Sequence, residues 1–156
     1  MPDLPPTTAT DGSFASRPTH QAVRFDVDLG ELVVGHHVVA RGIEFGVPGT
    51  LLQYEFVPGV PADRPIRERV GLQRWSLHTE DSAATPYSDP NGGAFASRGG
   101  PAPTPGERDL GGHTPPTATW LRLEISPAPG HHPSGGWVRR LDVDLTTGQI
   151  SIVLAL

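Results

Sequence analysis

From residue 22 onward, in segment after segment outside 81–118, the apolar residues of this chain recur at every second position, and nowhere over ten or more residues do they recur at helical spacing. A period of two sends alternate side chains to opposite faces of an extended strand, so the pattern predicts strands with one buried face and one wet face. In "RFDVDL", Phe25, Val27 and Leu29 point one way and Arg24, Asp26 and Asp28 the other. "GELVVGHHVVARG" is rich in β-branched residues and predicts a strand bent at Gly35. "TLLQYEF" sets Leu52, Tyr54 and Phe56 against Gln53 and Glu55, and "LQRWSLHT" brings Trp75 and Leu77 together. "TWLRLEI" opposes Leu121, Leu123 and Ile125 to Trp120, Arg122 and Glu124. "WVRRLDVDL" and "QISIVLAL", joined by "TTGQ", read as a terminal hairpin. About seven strands with short turns predict an all-β, antiparallel β-sandwich.

A chain of 156 residues fits one domain with a sizeable core. Its 19 glycines and 18 prolines are unevenly spread. Residues 1–20 are rich in Pro, Thr, Ser and Ala without apolar periodicity, and such a segment reads as a flexible tail ahead of a single domain at 21–156. Residues 81–118 carry frequent Gly and Pro with no alternation, so they read as one long Gly/Pro-rich loop. Loops of that length are usually functional or disordered. On this reading the loop is presented to a partner and can be shortened without loss of the sandwich.

The composition removes several chemistries. Without cysteine there is no thiolate nucleophile, Cys-ligated zinc or disulfide. Without lysine there is no P-loop lysine and no Schiff-base lysine, all twelve basic residues being arginines. A net charge of −5 with scattered arginines argues against nucleic acid as a partner. No apolar run approaches the ~18 residues that span a bilayer, and "MPDLPPTTATDGSFASRP" lacks the basic start and apolar stretch of a secretory signal. The expectation is a cytoplasmic protein with no membrane partner.

"RWSLHTEDSAATPY", followed by "PPTATWLRLEI", resembles a pattern in small, uncharacterised bacterial proteins with an immunoglobulin-like β-sandwich. There a strand bearing Trp runs into an acidic, Gly-containing turn and a Tyr, and a later Pro-Pro-x-Ala opens the next strand. The likeness covers about a third of the chain, and Ser82 and Ala84 stand where the pattern has an acid and a glycine. It implies an immunoglobulin-like fold and no activity.

Several residue sets are candidate sites. Asp26 and Asp28, with Asp142 and Asp144, are four carboxylates on two near-identical strands. Brought together they would suit calcium, whose ligands are oxygens, but period two also makes them the wet faces of half-buried strands. His36 and His37 fall on opposite strand faces, which precludes joint chelation. His131 and His132 lie in a loop as candidate zinc or nickel ligands without a visible third partner. "YSDPNGG" offers Tyr87, Asp89 and Asn91 as binding groups, though Asp, Pro, Asn and Gly equally make a plain turn. Trp120 beside Arg122 has the composition of a binding surface. No nucleophile elbow is present. The sequence therefore favours a non-catalytic interaction or structural module, without cofactor, that presents the long loop to a protein partner. A carbohydrate- or calcium-binding sandwich is the alternative, and a hydrolase with a dispersed site comes third.

Overall fold

The computed structural model describes residues 21–33, 35–46, 49–61, 72, 74–88, 93–95, 102–127 and 138–155. The tail at 1–20, Asp89, Asn91, His131, His132 and Trp137 lie outside them. Among the described residues nine strands follow one another: β1 (Gln21–Asp28), β2 (His37–Gly46), β3 (Gly49–Val57), β4 (Ser76–Asp81), β5 (Gly93–Phe95), β6 (Thr104–Asp109), β7 (Trp120–Ser126), β8 (Val138–Asp144) and β9 (Ile150–Ala155). They form two sheets, β1-β2-β3-β6-β5 and β4-β7-β8-β9, in which every pairing is antiparallel. The expected all-β sandwich is the observed architecture. Among the described residues there is no helix, hence none long and apolar enough to cross a membrane.

The extra strands correct the reading of residues 81–118 as a strandless loop. β5 and β6 both lie in that span, and β6 is an interior strand, paired with β3 on one side and β5 on the other. Its sequence TPGERD hides the alternation because its inward positions are Thr104, Gly106 and Arg108. Each has a specific neighbour. Thr104 Oγ1 accepts the Val60 amide at 2.7 Å. Gly106 lies opposite Tyr54, where a β-carbon would come within 2.7 Å of the ring. The buried Arg108 guanidinium stacks on Trp75 at 4.5 Å from the ring centre. Arg108 fills an inward position through a flat π-stacking group rather than an aliphatic one.

The core between the sheets is built from the apolar faces that the alternation picks out. Leu52, Tyr54 and Phe56 of β3 meet Trp75, Leu77, Leu121, Leu123, Ile125, Leu141 and Val143 from the second sheet and its approach, all buried. Tyr54 packs edge-on to both Phe56 and Trp75, with ring centres 5.2 and 5.4 Å apart. Fully burying such a side chain contributes about 1.5–3 kcal/mol. β2 keeps its apolar residues inward only by slipping register between Ala40 and Gly42, so that Val38 and Ala40 share a face with Ile43 and Phe45. The strand bend expected at Gly35 is instead a turn with φ of +87° that precedes β2.

Candidate functional site

The second sheet turns an outward face to solvent, and its cross-strand register arranges the charges in rows. Glu80, Arg122, Asp142 and Ser151 face one another across β4, β7, β8 and β9, and His78, Glu124, Arg140 and Val153 form the next row. Opposite charges thus stand opposite on neighbouring strands, which stabilises the pairing where like charges would oppose it. Arg122 Nε donates to Asp142 Oδ1 at 2.8 Å, and Arg140 Nε lies 3.3 Å from Asp142 Oδ2. The Asp142 bond holds the Arg122 guanidinium more firmly protonated than usual.

Trp120 begins β7 on this same face and is 39 % exposed. The Arg122 guanidinium lies 5.4 Å from its ring centre, a cation–π contact that fixes the ring against the sheet. Beside the ring is a recess of about 520 Å³, lined by Trp120, Arg122, Asp142, Asp144, Gln149 and Ser151 and also by Thr119 and Thr146. The sequence pattern singled out Trp120 and Arg122. It did not single out Thr119, Thr146, Gln149 and Ser151, because hydroxyl and amide side chains are ordinary on wet strands and turns.

The four aspartates do not assemble. β1 and β8 belong to different sheets, and each carboxylate has local partners. Asp26 pairs with Arg41, which also holds Glu55. Asp28 accepts the Gly30 amide at 2.8 Å and His37 Nδ1 at 3.0 Å. Partial burial would raise its pKa, but these bonds and the nearby Arg139 charge bring it below the ordinary value. Asp144 Oδ1 accepts the Thr146 hydroxyl at 2.6 Å and the Thr146 and Thr147 amides, which lowers its pKa and shapes the turn into β9. Among the described residues no group of three or more His, Asp or Glu side chains is placed to hold a metal ion. His36 is buried and donates to the Pro58 carbonyl at 2.7 Å, while His37 is exposed, on opposite faces as the alternation requires.

Tyr87 is half-buried and its hydroxyl is committed to the protein interior rather than to a ligand. It donates to Asp81 Oδ2 at 2.6 Å and contacts Thr114 Oγ1 at 2.6 Å, which in turn lies 3.0 Å from Thr50 Oγ1. A carboxylate only accepts, so the proton donors run one way, from Thr50 to Thr114 to Tyr87 to Asp81. Asp81 Oδ1 also accepts the Ala83 and Thr85 amides at 2.8 and 3.1 Å. Burial alone would raise the Asp81 pKa, but the bonds from Tyr87, Thr85 and Ala83 outweigh it and hold it below the usual carboxylate value. Burial and the Asp81 charge push the Tyr87 phenol above its ordinary value. This clasp ties β3 of one sheet to β4 of the other.

The recess can stack a flat or apolar group on Trp120 and hydrogen-bond a polar one. Of its carboxylates, Asp142 is paired with Arg122 and Arg140, and the hydrogen bonds of its turn hold Asp144 below the ordinary carboxylate pKa, an acceptor rather than a proton donor. Compared with known proteins, the chain matches no protein-family model, and no similar curated protein or solved structure was found.

Proposed function

We propose that the protein is a non-catalytic recognition module that engages a protein partner on the outer face of its four-stranded sheet. The observation that carries this reading is Trp120, exposed at the wall of a recess and braced by Arg122. Tryptophan and arginine are the residue types that most often dominate binding energy at interfaces. The recognition element is thus the sheet face and not the 81–118 segment, whose β6 is part of the sandwich. The immunoglobulin-like resemblance belongs to the same reading, since sandwiches of that kind serve as interaction modules.

The hydroxyl and amide groups around the tryptophan support a second reading, a carbohydrate ligand stacked on the ring. Both readings predict that Trp120→Ala melts like the wild type yet loses binding. A truncation of about 2 kcal/mol or more at a hot spot is roughly thirtyfold in Kd. Immobilised wild type and variant are to be exposed to extract of the native cells and to a panel of glycans, with tryptophan fluorescence read in solution. A protein retained by the wild type alone supports the first reading, and a glycan that quenches wild-type fluorescence supports the second. Binding that ignores Trp120 removes both.

A further inference from the structure

A sandwich of two open sheets has four edge strands, and an unprotected edge pairs with other chains. Among the described residues the four edges are β1, β5, β4 and β9, and three of them are blunted. β1 carries Arg24, Asp26 and Asp28 and slips register between Arg24 and Val27. β4 carries His78, Glu80 and Asp81, and β5 is three residues long. β9 has none of these devices: Ile150–Ala155 reads ISIVLA, without a charge or a proline, and pairs with β8 without a slip. Ile152 and Val153, which point to opposite faces, are both 40 % exposed.

The backbone at this edge is self-complementary. Asp144 N donates to Gln149 O at 2.8 Å, so Gln149 is hydrogen-bonded to β8, as are Ser151 and Val153 two and four residues on. The amides and carbonyls of Ile150, Ile152 and Leu154 therefore point to the open side. Antiparallel pairing of this edge with an identical edge about a two-fold axis at Ile152 sets Ile152 opposite Ile152 and Ile150 opposite Leu154, with about six new backbone hydrogen bonds. Ser151 and Val153 fall opposite each other on the outer face.

Charge selects the occupant. The chain carries −5, so two copies meeting through most surfaces would oppose like charges, but the β9 edge brings no charged residue within its own strand. The nearest outward charges are on β8, and the two β8 strands of a pair would lie three strand spacings apart, about 14 Å, beyond the ~8 Å screening length. Ser151 also walls the recess at Trp120, so the second copy's Val153 would stand at the border of that recess.

We propose that two copies of this chain pair through β9, antiparallel and symmetric, joining their four-stranded sheets into one sheet of eight. The test is sedimentation of the full chain from submicromolar to submillimolar concentration, with Ile152→Lys and Ile152→Glu alongside. The expected result is a wild-type dimer that dissociates on dilution and, for each variant, a monomer that melts at the temperature of the dilute wild type. An equimolar mixture of the two variants should regain the dimer, because Lys and Glu would then face each other at the axis. Should the variants fail to fold, hydrogen exchange on the wild type decides: the Ile150, Ile152 and Leu154 amides should be protected at high concentration and released on dilution. A wild-type monomer throughout, or a dimer that leaves those amides fast, overturns the proposal.

Discussion

Ala84 sits in the left-handed region with φ of 56°, in the turn organised by Asp81, where its amide donates to the Asp81 carbonyl at 3.2 Å. An alanine there costs about 1–2 kcal/mol of steric strain, whereas glycine adopts the conformation freely. Ala84 is one of the two positions at which the chain departs from the pattern it resembles. Ala84→Gly should raise stability by about 0.5–1 kcal/mol, the relief of strain less the entropy glycine adds to the unfolded chain. Urea unfolding would show this as a higher midpoint at unchanged slope, and a lower midpoint would contradict it. Residue-scale reasoning from sequence found Trp120 and Arg122 because alternation places them together. It could not pair Arg122 with Asp142, since nothing in either strand alone states that β7 lies against β8 in that register.

Among the elements, strands with aliphatic inward positions were legible and β6 was not. Its inward Thr104, Gly106 and Arg108 are dictated by a backbone amide, a tyrosine ring and a tryptophan ring contributed by distant segments, so local hydropathy carries no trace of them. The slip in β2 was hidden for a related reason, because an extra residue breaks the alternation that marks a strand. A changed prediction follows for the 81–118 segment. Replacing residues 82–114 with a short Gly-Ser linker removes β5, β6 and Tyr87 and leaves the β3 edge and Trp75 uncovered. The shortened chain should be insoluble or lack a cooperative melt, as read by calorimetry. A sharp transition near the wild-type temperature would return the segment to the status of a loop.

The two sheets are joined across the molecule by the clasp from Thr50 through Thr114 and Tyr87 to Asp81, and this gives stability a pH signature. Asp81 titrates below its ordinary value, so its contribution is complete above the unfolded carboxylate pKa near 4 and is lost as pH falls through the folded value. Tyr87 titrates above its ordinary value, so its contribution is complete below about 10 and is lost as pH rises toward the folded value. Tyr87→Phe should cost about 1–3 kcal/mol at neutral pH, because Asp81 stays buried with one donor fewer. The gap to wild type should narrow at both extremes. Asp28 and Asp144 also titrate low and steepen the acid limb of both proteins equally. A gap that stays constant with pH, measured by urea unfolding across the range, would show that the phenol acts through packing alone.

The strand order also constrains how the chain reaches this structure. β3 pairs with β6, so Phe56 meets Thr104, yet between them the chain crosses to the other sheet to lay down β4 and returns. β4 in turn waits for β7, with Asp81 opposite Leu121. Hairpins such as β2–β3 and β8–β9 close over a few residues, but neither sheet reaches its final width until segments far apart in sequence have met. Loop-closure entropy must then be met before these distant contacts reward it, which places the chain among slow folders, on the order of milliseconds to seconds. In that interval a closed β8–β9 hairpin would present an edge without a charge or a proline of its own, the kind of edge to which another chain adds.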